Sequence, residues 1–526
     1  MGQSSRIEHT TRNIVWGFAY RLVALFGPFV VRSILIWRLG VDYLGLSSFY
    51  ASLLQVLNLA ELGFSSAVAF GMYRPLAEGD QDQVVRYVAY LKRVYRVVGA
   101  VLLVLGICIA PVLGLLVKGP LPSDVNIQLA FFIYVINTAL GYFLFAYKQT
   151  LLIALQRKDL VDKIYMLVTI GECTLQCILL LLAPNFYTYA LVLPLSTLVA
   201  NLVLSRVADR LVPQYALPQP GNSQLGSAER SEMRKRIAGL LIQKTSMVTR
   251  ESFAGVMVTA FVGLAAVACF TNYFMVVGGV LGLLATICVS MTASVGNSVA
   301  LESPEKNFDD LRLFVFLYAL LSIVCSSIML ALYQPFMALW MGSSYVLPFD
   351  IAVLFTLYFY VRTMGDMRTV YVDATGIWWK LRWRALVEAV ANVVLCVVLV
   401  YFFDVRGAIA ALLISLFVCN FLYGSHLTFV HYFGLDKAGR YYLDSFLYLG
   451  VGVVVCATSF ALASLVPEGG VMLLLARGLL AFACSTTLVF VVFARTQRFS
   501  MARIFVEQLI VRDGLNREPA SSHKAK

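Results

Sequence analysis

Apolar residues occupy fourteen long blocks of this chain, separated by short polar segments. The blocks fall at 13–37, 46–72, 94–117, 126–152, 164–183, 186–206, 237–262, 264–300, 311–332, 347–374, 383–403, 407–431, 441–466 and 471–494. Each reaches the ~20 residues with which a helix crosses a ~30 Å hydrocarbon core. The pattern predicts an all-α, polytopic membrane protein of about fourteen transmembrane helices, or twelve if one pair is miscounted. The weakest blocks are 186–206 and the overlong 264–300, where Gly278, Gly279 and Gly282 offer a bend.

Basic residues set the orientation. With the N-terminus inside, the inner segments and the helix turns adjoining them hold 30 of the 41 Lys and Arg, while the outer segments hold only Arg38, Lys118 and Arg406. That asymmetry predicts both termini in the cytoplasm. The first block carries Arg21 and Arg32 and no small-residue cleavage site, so it is expected to stay as a signal anchor. No outer segment exceeds about fifteen residues, which leaves no room for an extracytoplasmic domain.

The longest inner segment, 207–236, combines Pro213, Pro218 and Pro220 with the basic run Arg234-Lys235-Arg236. It divides the chain into an N-terminal six-helix lobe (1–206), the linker itself and a C-terminal six-helix lobe (237–435). Two further helices (436–494) and a cytoplasmic tail (495–526) follow. A faint repeat supports the division: Leu39-Gly40, Gly45 and Tyr50 recur 223 residues later as Val262-Gly263, Ala268 and Tyr273. Two such halves enter the membrane with the same polarity, as a parallel repeat.

Composition sharpens the class. The chain is 60% hydrophobic and 13% charged, with a mean hydropathy of +0.81, well outside the soluble range. Its net charge of +12 reads as inner-loop charge facing anionic lipid, so no nucleic-acid partner is expected. The ten cysteines form no Cys-x-x-Cys motif, and Cys173 and Cys177, on one helix face, read as inert apolar residues. No metal constellation and no phosphate-binding loop is present, so no cofactor is expected and ATP is not the direct energy source.

A few charges lie inside the blocks, where each costs at least ~2.5–3.5 kcal/mol and marks a polar pathway by default. Arg21 and Arg32 are eleven residues apart, on nearly one helix face with Pro28 between them. Guanidinium groups there suit a phosphate held in bidentate fashion; the alternative is that Arg32 reaches outward and Arg21 pairs with a carboxylate. Lys244 and Glu251, seven apart, share a face and are placed to pair, which turns Arg250 elsewhere. Arg362 and Asp366, at i and i+4, read as a self-neutralising pair beside Arg368 and Asp373. Lys148 lies near a cytoplasmic helix end. Glu61, beside Gly63, is the carboxylate best placed for proton coupling or for pairing with Arg21. The candidate anion site is therefore Arg21, Arg32, Lys244 and Arg250; Glu61, Glu251, Arg362 and Asp366 are candidates for coupling or charge pairing.

Several segments stand in order along the chain: Leu39-Gly40-Val41-Asp42-Tyr43-Leu44-Gly45-Leu46 at a turn into the second helix, and Ala60-Glu61-Leu62-Gly63 with Met72-Tyr73-Arg74-Pro75-Leu76-Ala77 at the exit into the first cytoplasmic loop. Asn272-Tyr273, Gly296-Asn297, Pro335-Phe336 with Leu339-Trp340 and Gly342, then Gly376, Arg382, Arg384, Glu388 and Asn392, follow. In these segments the chain resembles the Wzx-type polysaccharide exporters of the multidrug/oligosaccharidyl-lipid/polysaccharide superfamily. The resemblance spans most of 13–435. It implies a MATE-like fold of two six-helix lobes around a central cationic cavity, working by alternating access. The substrate it implies is a polyprenyl-diphosphate-linked oligosaccharide, carried across the cytoplasmic membrane for cell-surface polysaccharide biosynthesis. A polysaccharide polymerase and glycosyltransferases are the partners it suggests. Lys244 matches a family basic position, but Ala254-Gly255 replaces a common Asp-Asn pair.

Two other classes compete. A MATE-type drug or cation antiporter wants an anionic cavity, whereas the first block offers two arginines and no carboxylate. A membrane polymerase or glycosyltransferase needs a sizeable outer loop with catalytic groups, and none is present. The sequence therefore predicts a carrier with no catalytic residues.

Overall fold

The computed structural model describes residues 3–58, 64–215, 226, 233, 237–238, 241–242, 244–504 and 507. The described residues are 90% helical and contain no strand. Among them, nine helical runs are each long and apolar enough to cross a membrane, ten with the Ile127–Phe143 and Ala146–Ala154 helices, bent by 48°, taken as one span. The 52-residue run Arg382–Phe433 covers two of the apolar blocks, and Asp404 (φ 52°) breaks it. The remaining three blocks also carry helix. Val41–Leu57 is followed by Phe64–Glu78, Phe349–Met364 meets Asp366–Thr375 at Gly365, and a π-helical turn at Thr249–Phe253 leads into Ala254–Phe261. The chain is thus an all-α, multi-pass membrane protein, with helix at every predicted block.

Local chemistry fixes the helix ends. The Asn126 side chain accepts from the Gln128 and Leu129 amides at 3.0 Å each, and Asn185 accepts from Tyr187 at 2.8 Å, so each asparagine caps a helix entering from a loop. Ser303 caps Pro304–Met341, with proline at the first helical position. The Gln3–Arg38 helix runs through Pro28, and Leu264–Leu301 through Gly278, Gly279 and Gly282. One glycine is required by packing. A Cβ on Gly45 would lie 2.1 Å from the Leu264 carbonyl oxygen, so any side chain there would push the start of Leu264–Leu301 off Val41–Leu57.

Large apolar side chains face outward along the spans, among them Leu182, Phe402 and Met472. In water such a surface would be untenable; against acyl chains it is the expected boundary.

The described chain divides into two compact units, residues 1–275 with 382–415 and residues 276–381 with 416–526. This division differs from lobes drawn at 1–206 and 237–435. In the first unit, Ala254–Phe261 packs against Val41–Leu57 and against Arg382–Ser415, which draws both of those later helices into the N-terminal set. The second unit packs Pro304–Met341 against Phe349–Met364, Ala438–Ala463 and Val471–Phe493.

Candidate functional site

In the first unit, the charges inside spans gather at two places. The first is the π-helical turn Thr249–Phe253, where the backbone widens by one residue. Such turns shift every later side chain around the helix and recur at functional sites. Arg250 is 4% exposed and forms an ion pair through Nη1 with Glu388 Oε1 on Arg382–Ser415. The other carboxylate oxygen of Glu388 accepts from Arg384 Nη1 at 2.9 Å. Glu388 is 1% exposed. Two guanidinium groups thus share one buried carboxylate. Arg250 Nε has no hydrogen-bond partner among the described residues. One turn beyond Glu388, Asn392 donates to Ser415 Oγ at 3.0 Å, and its amide oxygen is buried without a donor.

The second place is Arg32. Its Nη1 donates to the side-chain oxygen of Asn272, which is fully buried on Leu264–Leu301. Tyr134 and Tyr189 lie close by. No carboxylate comes within ion-pair distance of Arg32 among the described residues. A guanidinium has five N–H donors, so this one keeps its charge and most of its donors.

Arg21, on the same helix, is exposed, and Lys244 is half-buried ahead of the π turn. The four candidate anion-site residues therefore do not converge on one partner: Arg250 holds Glu388, while Arg32 holds Asn272. Glu251 is half-buried in the π turn, and Glu61 lies outside the described residues.

The second unit contains the expected i, i+4 pair. Arg362 Nη1 bonds Asp366 Oδ1 across the Gly365 break, and the Tyr318 hydroxyl donates to Asp366 Oδ2 at 3.1 Å. Arg368, 2% exposed, donates to the Asn420 carbonyl at 2.8 Å, to its side-chain oxygen at 3.1 Å and to Ser425 at 3.1 Å. Asp444 joins Arg312 at 2.9 Å and Arg498 at 2.7 Å on the wall of a cavity of about 600 Å³. Long-range partners such as Asp444 with Arg498, or Lys148 with Asp209 at 2.6 Å, give no signal in sequence spacing. Glu388 was visible only through the family resemblance.

Neither a protein-family model nor a curated sequence matches the chain. Solved structures do match its fold. The lipid II flippase MurJ in an inward closed conformation is 11% identical, with 92% of this chain and 98% of that chain covered at a TM-score of 0.64. An inward-facing multidrug resistance MATE family transporter of the MOP superfamily is 14% identical, with coverages of 78% and 94% and a TM-score of 0.60. A variant of the Vibrio cholerae MATE transporter VcmN is 16% identical, with coverages of 81% and 100% and a TM-score of 0.56. At such identities the likeness is one of fold, and the fold of this chain is that of the MurJ and MATE transporters.

Proposed function

We propose that the protein is a flippase, a carrier and not an enzyme, which moves a polyprenyl-diphosphate-linked oligosaccharide across the cytoplasmic membrane by alternating access around a cationic site. The observation that carries this reading is Arg32, a cation inside a membrane-spanning helix whose hydrogen-bond partner, Asn272, is neutral. A buried charge without a counter-ion is costly, and a diphosphate supplies the missing anion in a geometry that guanidinium binds bidentately. A fold shared with a protein named as a lipid II flippase supports a lipid-linked substrate. The glycan then serves cell-surface polysaccharide assembly, with glycosyltransferases before the carrier and a polymerase after it. Both termini face the cytoplasm.

A cation antiporter on the same fold is the competing reading, and Arg32, a cation with no carboxylate within ion-pair distance among the described residues, argues against it. Binding to the purified protein separates the two. Polyprenyl diphosphate should bind saturably, and more weakly to an Arg32→Gln chain of unchanged fold. Displacement of the lipid by no excess of inorganic diphosphate, together with tight binding of a lipophilic cation, would favour the antiporter.

A further inference from the structure

The second unit holds a charged cavity that the carrier reading does not use. Its volume is about 600 Å³, and it lies where the starts of Pro304–Met341 and Ala438–Ala463 meet the end of Val471–Phe493. Pro304–Met341 has 38 residues, ~57 Å at 1.5 Å per residue, against a ~30 Å hydrocarbon core. Its first turns carry Glu305, Lys306, Asp309 and Asp310, so they stand at the level of the lipid headgroups.

Two side chains one turn apart leave the cavity with unused binding capacity. Arg312 donates through Nε to Asp444 Oδ2 at 2.9 Å, and its guanidinium carbon lies 5.7 Å from the centre of the Phe308 ring. Those contacts hold the plane of the group, while the N–H bonds on its two Nη atoms meet no acceptor among the described residues. Arg498 gives Nη2 to Asp444 Oδ1 at 2.7 Å and Nη1 to the Tyr448 hydroxyl, so both oxygens of Asp444 are taken. Asp309, three residues before Arg312 on the same helix face, also lines the cavity. It is exposed and makes no hydrogen bond or ion pair among the described residues. Lys306, close enough to feel its charge, is already bonded to Asp310 at 2.6 Å.

The rim is apolar: Leu447 and Met501 line the cavity and are exposed. A preorganised guanidinium fork suits a phosphate, and an unpaired carboxylate beside it suits an ammonium. Acyl chains would continue past the apolar rim. Free phosphate would use the fork alone, and an anionic lipid without an ammonium would meet Asp309 as a like charge.

We propose that this cavity is a headgroup site for a zwitterionic aminophospholipid, with the phosphodiester on Arg312 and the primary ammonium on Asp309. Pockets between spans at the membrane surface bind headgroups by this chemistry. The assignment needs no transport and does not depend on the substrate carried.

Native mass spectrometry of the full chain in detergent, titrated with lipids of identical acyl chains, tests it. Phosphatidylethanolamine should bind about tenfold more tightly than phosphatidylcholine, whose quaternary ammonium has no N–H for Asp309, and than phosphatidylglycerol, which has no ammonium. Asp309→Asn, at an exposed position, should keep the wild-type unfolding temperature and lose that preference, with phosphatidylglycerol bound no more weakly than before. Arg312→Gln should weaken all three lipids about tenfold, since each carries the phosphodiester. Arg312 also holds Asp444, so if Arg312→Gln unfolds, the Asp309→Asn chain decides. Inorganic phosphate in excess should leave phosphatidylethanolamine bound. Equal binding of the three lipids by wild type, a retained preference or a lowered unfolding temperature in Asp309→Asn, or displacement by inorganic phosphate alone would each overturn the assignment.

Discussion

Replacing Glu388 with glutamine changes one oxygen for an amide and leaves Arg250 and Arg384 facing each other. Arg250 is 5% and Arg384 11% exposed at the side chain, so neither can turn to solvent in place. Breaking a buried pair costs about 3–5 kcal/mol, because the orphaned charge stays buried. Glu388 holds both arginines, so Glu388→Gln belongs in that range. Arg250→Gln is milder. Glu388 keeps Arg384 at 2.9 Å, and the loss is that of a charged hydrogen bond, about 1.5–3 kcal/mol. The double variant removes one of two like charges brought together at this site, so it should be more stable than Glu388→Gln alone. Thermal unfolding in detergent, followed by a thiol-reactive dye, reads this order directly, since Cys269, Cys396 and Cys419 are buried and react only on unfolding. The expected order of unfolding temperature is wild type, Arg250→Gln, double variant, Glu388→Gln. A double variant less stable than both singles, or Arg250→Gln as damaging as Glu388→Gln, would refute a shared carboxylate.

Arg32→Gln should abolish export while costing less than about 3 kcal/mol of stability, because its partner Asn272 is neutral and no carboxylate is orphaned; Arg32→Lys should restore part of the transport, and wild-type export in Arg32→Gln would remove the anion site. Asp366→Asn should cost about 1 kcal/mol or less in the same unfolding assay, since Arg362 is a third exposed and can turn to water; a loss as large as that of Glu388→Gln would contradict this. Reporter fusions after Asn126 should read outside and after Lys437 inside, and the reverse at either position would overturn the orientation. Collapsing the membrane potential with valinomycin and potassium should slow outward flipping, because two charges crossing 100 mV are worth up to ~4.6 kcal/mol; an unchanged rate would leave an ion gradient as the driver.

The fold was legible because a bilayer demands long apolar helices, and every block predicted from the hydrophobic pattern carries helix. Spacing also made the Arg362–Asp366 pair readable, since i, i+4 neighbours meet on any regular helix. Arg250 and Glu388 are 138 residues apart, and no local pattern announces such a meeting. The grouping of 244–275 and 382–415 with the N-terminal helices has the same origin: packing partners, not loop length, decide which helices cohere.

The central claim is that a cationic site carries a lipid-linked anion across the membrane. The most direct measurement is the outward movement of a fluorescent polyprenyl-diphosphate oligosaccharide in vesicles reconstituted with the purified protein, scored by access of an external glycan-cleaving enzyme. The account predicts time-dependent exposure in wild-type vesicles and no more than the protein-free background with Arg32→Gln. Exposure at equal rates with wild type and Arg32→Gln, or none with correctly folded wild type, would contradict it.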